Sequence, residues 1–331
     1  MTARTGAFAR NDDLEGLLRE LNGALGPVSS ALVKAFEPAM PTIFVVGAPR
    51  SGTTVLMQWL ASSDGLAYPT NLLSRFYGAP YIGARIQQLL TDSRFDYRGE
   101  LKALTGRAEN FTSDLGKTQG PLEPNEFWYF WRRFIPLVDP EPLNGRPIDA
   151  EGLRHGLAEL EQAFRKPFAA KAILFQYDLP LIAGLLPRSL FLYTRRDPTK
   201  NAISLLRARE AYWGRVDRWF SVKPPGTARL LGAPATVQVA GQILGTEVSL
   251  RKAAATIGPD RFLAFDHEAF CDDPEPVWQW LRSRCRNMGC DIVGEPNAKL
   301  LRRSHPPESA DVSSWSTQFE TARSLLSDGG G

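Results

Sequence analysis

The stretch TIFVVGAPRSGTT, residues 42–54, decides how the rest of the chain is read. Residues 42–46 are all β-branched or aromatic, the composition of a strand buried in a parallel sheet. Gly47 and Gly52 follow with four residues between them, and TTVLMQWLASS then predicts a helix with Leu56, Trp59 and Leu60 on one face. A strand, a glycine loop and a helix N-terminus together make an anion nest, because successive backbone N–H groups and the helix dipole converge on one spot. The phosphate-loop pattern G-x-x-x-x-G-K-[ST] requires a lysine after its second glycine, and Thr53 takes that place here. A nucleoside triphosphatase needs that lysine on its β- and γ-phosphates, with Mg²⁺ beside it. This loop offers instead the Ser51, Thr53 and Thr54 hydroxyls, the Gly52 amide and the planar charge of Arg50. It suits a phosphate-bearing ligand whose transferred group is not a metal-bound γ-phosphoryl.

Working outward, helices are expected over residues 11–25, 84–104, 125–134 and 149–164, then in 176–187, 197–213, 237–257 and 273–288. Buried strands are expected at 167–175, 188–196 and in RFLAFD. Residues 213–236, rich in Pro, Gly, Trp and Arg, read as a long ordered loop. Strands alternating with helices argue for an α/β fold, a phosphate-loop-like parallel β-sheet flanked by helices, in one domain. Its expected limits are 41–310, preceded by a helical extension (1–40) and followed by a polar, partly flexible tail (311–331).

The 331 residues are 43% hydrophobic and 23% charged, enough for a real core. A net charge of +3 is too mild to argue for nucleic acid as a partner and suits an anionic small ligand. No run of ~20 apolar residues predicts a transmembrane segment, and the first residues lack the basic start and apolar stretch of a secretory signal. Cys271, Cys285 and Cys290 are odd in number and match no tight metal-ligand spacing, even with His267 nearby. Reduced structural thiols, no metal and a cytoplasmic location are the expectation.

APRSGTT resembles the phosphosulfate-binding loop of the sulfotransferases that use 3′-phosphoadenosine 5′-phosphosulfate (PAPS), of the bacterial and Golgi-like type. That family's second motif is an arginine at a strand end with a serine eight residues on, and LFLYTRRDPTKNAIS supplies Arg196 and Ser204. The resemblance implies that Arg50, Ser51, Gly52, Thr53 and Thr54 hold the 5′-phosphosulfate and that Arg196 and Ser204 hold the 3′-phosphate. It implies PAPS as sulfuryl donor, PAP as product and a nucleotide-binding transferase fold. Taken alone, Arg196 reads first as a surface ion pair with Asp197; paired with the first motif, it reads as a phosphate ligand. Lys171, in the apolar strand PFAAKAILF, stands where the family uses a lysine against the transferring sulfuryl group; snorkelling at a sheet edge is the other reading. His267, in AFDHEAFCDDP, stands near the family's adenine contact, or caps a helix locally. Arg302 and Arg303 would reach back over the 3′-phosphate.

The chain departs from the family where the catalytic base is concerned. The position of the family's usual histidine is Ile173, and the segment GLAYPTNLLSRFY, where other members carry a glutamate, has no carboxylate. The proline- and aromatic-rich QGPLEPNEFWYFWRRF offers Glu123 and Glu126, of which Glu123 ranks first because it stands further from the expected helix. Asp178 is a further candidate, and His155 reads as a surface residue. Arg132, Arg133, Trp213, Arg215 and Trp219 would contact an acceptor or pack a lid. The resemblance thus implies in-line sulfuryl transfer to a hydroxyl or amine of a small-molecule, glycan or lipid acceptor. Its rivals are an ATP-dependent phosphotransferase and a non-catalytic nucleotide-binding protein.

Overall fold

The computed structural model describes residues 4–104, 113–114, 117–136, 147–301 and 312–327. Its centre is a four-stranded sheet, in the order β4-β1-β5-β6. The strands are β1 (Thr42–Val46), β4 (Phe168–Lys171), β5 (Ser189–Arg195) and β6 (Phe262–Asp266), and every pairing is parallel. Two-residue strands β2 (Ser113–Asp114) and β3 (Lys117–Thr118) form a separate hairpin.

Strand periodicity distributes the core. Phe44, Val46, Ala170, Phe191 and Tyr193 point to one face. There they meet α5 (Ala150–Phe164), α6 (Leu179–Leu185) and α8 (Ala235–Ile257) through Leu157, Ile182 and Leu250. Ile43, Val45, Ala169, Leu190 and Leu192 point to the other face. That face is covered by α2 (Thr53–Ala61), α9 (His267–Asp272) and α10 (Glu275–Asn287), with Trp59, Phe270 and Trp278 packed edge to face. Each fully buried aliphatic or aromatic side chain contributes about 1.5–3 kcal/mol, so both layers are held by the sheet between them.

Register sets the site. Val45 lies between Lys171 of β4 and Leu192 of β5, so the loop after β1 leaves the sheet beside Lys171. Arg195 pairs with Asp266, so the next residues, Arg196 and His267, leave side by side. Four strand ends therefore open onto one edge, where open α/β sheets place their ligands.

Several elements differ from the periodicity. The first helix, α1 (Asp12–Ala31), runs on through Pro27. Its second half is held by tertiary bonds: Ser29 Oγ donates to Glu159 Oε2 at 2.5 Å, and Ser30 Oγ meets His155 Nε2 at 2.8 Å. His155 is thus half-buried between α5 and α1, not a free surface residue. The helix α3 (Pro80–Thr91) stops at Asp92, whose carboxylate bonds the Arg94 N–H and turns the chain. In the aromatic segment only α4 (Trp128–Trp131) is helical, because Phe127 is left-handed (φ 56°) and Asn125 Oδ1 accepts its N–H. The strand expected over 167–175 ends at Lys171 and becomes a 3₁₀ turn. α7 (Pro198–Trp213) precedes the ordered segment to residue 234, and in the polar tail Val312–Ser327 form α11, packed on α8 with Trp315 buried. No helix among the described residues is long and apolar enough to cross a membrane.

Candidate active site

The glycine loop is braced from outside, which frees its inner surface. Gly47 N–H donates to Gln176 Oε1 at 3.1 Å. Thr194 Oγ1 donates to the Ser51 carbonyl at 3.2 Å, and Arg196 donates to the Arg50 carbonyl at 3.0 Å. The Asn201 carboxamide, with its NH₂ toward the loop, reaches the Pro49 carbonyl at 2.7 Å. Loop carbonyls are thereby occupied by the protein. Arg50 (φ 72°) and Gly52 (φ 98°) are both left-handed, a conformation that turns successive amides toward one concavity. Gly52 is required twice, since a Cβ there would also enter the His267 ring, 2.5 Å from Cε1. It caps α2, whose first N–H groups have no intrahelical acceptors. The Ser51 hydroxyl is buried and meets no hydrogen-bond partner among the described residues, so a polar group remains to be satisfied there.

The second motif abuts the first. Arg50 Nε donates to Ser204 Oγ at 3.2 Å, while Arg196 holds the Arg50 carbonyl. Arg196 stands just before the N-cap of α7, where the helix dipole favours an anion, and Ser204 lies in the helix's second turn. Burial lowers the Arg196 pKa, and Glu268, Asp197 and Cys271 oppose that. His267 opens α9 and is buried against Gly52, with Cys271 Sγ 3.7 Å from its Nε2. Burial first, then the Arg196 charge, lowers the His267 pKa, so its ring is neutral. The Asp266 side chain caps α9, not His267.

The third strand end carries charge of both signs. Lys171 Nζ is buried, donating to Thr54 Oγ1 at 2.7 Å and to Glu126 Oε1 at 3.2 Å. It does not snorkel to solvent. Burial lowers its pKa, while the Glu126 carboxylate acts in the opposite direction. Glu126 is 34% exposed, and its other oxygen, Oε2, accepts from Trp128 Nε1 at 2.5 Å. Glu123, expected to stand clear of the packing, is buried instead. Its carboxylate accepts from Gln58 Nε2 of α2 at 3.4 Å, and its charge helps burial raise the Tyr68 pKa.

The structure thus brings together Arg50, Ser51, Gly52, Thr53, Thr54, Lys171, Arg196, Ser204, His267 and Glu126. Glu123 lies behind them, against α2. Arg302 and Arg303 fall outside the described residues. Arg132 lies over the Trp128 ring at 5.4 Å, and Arg133 is turned to the Tyr77 carbonyl. Trp213 donates to the Trp219 carbonyl, and Trp219 covers the buried Arg209 guanidinium at 5.0 Å, so these rings hold their own loop together. A groove of about 440 Å³ on α1, lined by Arg19, Asn22, Tyr77 and Arg133, includes none of the site residues. Gln176, Thr194, Asn201 and Trp128 are contributors that no motif announced. Only Trp128 carried a local signal, two residues from Glu126 and able to reach it.

The family model described as "Sulfotransferase family" matches residues 41–286, most of the chain. This chain belongs to the sulfotransferase family. Family and fold support sulfonate transfer as its general reaction. Two solved structures share the fold. Sulfotransferase STF9 from Mycobacterium avium aligns at 15% identity over 96% of this chain and 83% of that one, with a TM-score of 0.56. Sulfotransferase STF1 from Mycobacterium tuberculosis aligns at 14% identity over 94% and 82%, with a TM-score of 0.53. At such identities the likeness is one of architecture. No curated protein sequence matches this sulfotransferase.

Proposed function

We propose that this sulfotransferase takes its sulfuryl group from PAPS, passes it to a hydroxyl or amine acceptor, and uses Glu126 as the base. The observation that supports this reading is the Arg196–Arg50–Ser204 contact, by which the residues of the second motif touch the glycine loop. A ligand with phosphates at both ends of one ribose needs two such cradles within one cleft. The residues present fit that demand: a Ser51 hydroxyl with no partner among the described residues and the first N–H groups of α2 at one end, a partly buried guanidinium just before α7 at the other.

The chain's own groups then have distinct tasks. The α2 N-terminus, Ser51, Thr53 and Thr54 would hold the 5′-phosphosulfate, and Arg196 with Ser204 the 3′-phosphate. Lys171, which is buried, and Arg50 would offset negative charge on the group in transit. Glu126 is the more exposed of the two carboxylates, and it already sits on the lysine that would face that group. It would accept the acceptor's proton as the nucleophile attacks. When bound, PAPS supplies the sulfur; its S–O bond to the phosphate breaks as the acceptor's bond to sulfur forms, and PAP leaves. Trp128 and Lys171 keep the Glu126 carboxylate in place.

Labelled PAPS offered with a broad acceptor panel tests the reading, alongside PAP binding without Mg²⁺ and with ATP as competitor. Transfer to at least one acceptor, with PAP bound and ATP unable to displace it, is the expected result. ATP binding in preference to PAP would overturn the donor assignment.

A further inference from the structure

One face of α1 has no covering within the described chain. Leu17, Leu21, Val28 and Leu32 are 53%, 39%, 53% and 54% exposed, and Phe36 just beyond the helix is 82% exposed. At 100° per residue, positions 17, 21, 28 and 32 fall within one narrow stripe, with Ala24 beside it. Asn22 and Ser29, the residues that α1 buries against its own protein, lie on a different side. Single exposed leucines need no explanation, but a contiguous apolar stripe over four turns marks an interaction surface.

The spacing names the occupant. The stripe is symmetric about a centre between residues 24 and 25. A second α1 laid antiparallel across a twofold axis at that point sets Leu17 opposite Leu32 and Leu21 opposite Val28. Ala24, small and exposed, falls at the crossing, where close approach of two backbones is needed. By the same register Glu15 of each copy lies opposite Lys34 of the other, Asp12 opposite Glu37 and Asp13 opposite Phe36, and the two helix dipoles oppose. Between residues 17 and 32 no charged residue falls on the stripe. A helix of this length is about 30 Å long and about 10–12 Å across. Two such faces bury on the order of 1,000 Å² in total, about the floor for a specific interface. An anionic lipid surface fits less well, because α1 carries Asp12, Asp13, Glu15 and Glu20 against the single cation Arg19.

We infer that this face is the twofold interface of a homodimer, with α1 pairing antiparallel on α1 of a second copy. This is independent of the donor and of the base. Sedimentation equilibrium of the full chain should show a dimer in the low-micromolar range. Val28→Glu, which places two carboxylates in the apolar seam, should weaken it by ~100-fold or more, with an unchanged circular dichroism spectrum and unchanged PAP binding. Ala24→Cys should cross-link to a dimer under mild oxidation, while the unsubstituted chain under the same conditions does not. A chain that stays monomeric to ~100 µM, or a dimer equally stable with Val28→Glu, overturns the inference. A monomer that co-sediments with phosphatidylcholine vesicles, and loses this with Val28→Glu, overturns it in favour of a lipid surface.

Discussion

Replacing Glu126 with glutamine separates the carboxylate's charge from its shape. Glu126 accepts from Lys171 at 3.2 Å and from Trp128 at 2.5 Å. A carboxamide has one acceptor oxygen, so Glu126→Gln keeps one of those partners and presents its NH₂ to the other donor. The lost contact costs about 1–3 kcal/mol of stability, a shift of a few degrees in Tm. The catalytic loss is of another order. A positioned general base contributes typically 10²–10⁴-fold, or about 3–5 kcal/mol in the barrier. PAP lacks the sulfuryl group that Lys171 and Glu126 face in this scheme, so its affinity should change by less than about threefold. The assay is single-turnover transfer from labelled PAPS at saturating donor, with PAP affinity from calorimetry. Turnover within about fivefold of the parent chain would refute the role of Glu126. A fall in PAP affinity that matches the fall in turnover would show that the residue shapes the cleft and not the chemical step.

Arg196→Ala should weaken PAP by about 10²-fold or more, the loss of charge-assisted bonds to a phosphate, while adenosine 5′-phosphosulfate loses only a few-fold. Equal losses for both ligands would mean that Arg196 acts by bracing the Arg50 carbonyl and not through the 3′-phosphate. The His267 pKa is lowered in the folded chain, by burial and then by Arg196. The stability contributed by its neutral ring is therefore fully present above the ordinary histidine value of about 6.5 and is lost as pH falls from there toward the folded value. Urea midpoints measured from pH 8 to 5 should fall for the parent chain and fall less for His267→Gln; parallel curves would contradict the assignment.

The sheet and its loop were legible because parallel strands are nearly continuous apolar runs and the glycine spacing is local. The two motifs, Arg50–Thr54 and Arg196–Ser204, could be named from the sequence for the same reason. What could not be read was anything decided across the chain. Gln176 and Thr194 brace the loop through register between strands, which no local pattern encodes. The ranking of Glu123 over Glu126 assumed a helix near residue 125. The left-handed Phe127 shortens that helix and turns Glu126 toward Lys171, while Glu123 is folded under against α2. The helix expected to end at residue 25 runs on to Ala31, and the polar tail carries a helix, for a related reason: tertiary bonds at Ser29 and the burial of Trp315 outweigh local propensity.

The central claim is that two cradles on neighbouring strand ends hold one adenosine phosphorylated at both its 3′ and 5′ positions. A crystal structure with PAP tests it most directly. The 5′-phosphate should sit on the amides at the start of α2, and the 3′-phosphate within hydrogen-bonding distance of Arg196 and Ser204. A PAP molecule bound with its 3′-phosphate in solvent, or bound away from the glycine loop, would contradict it.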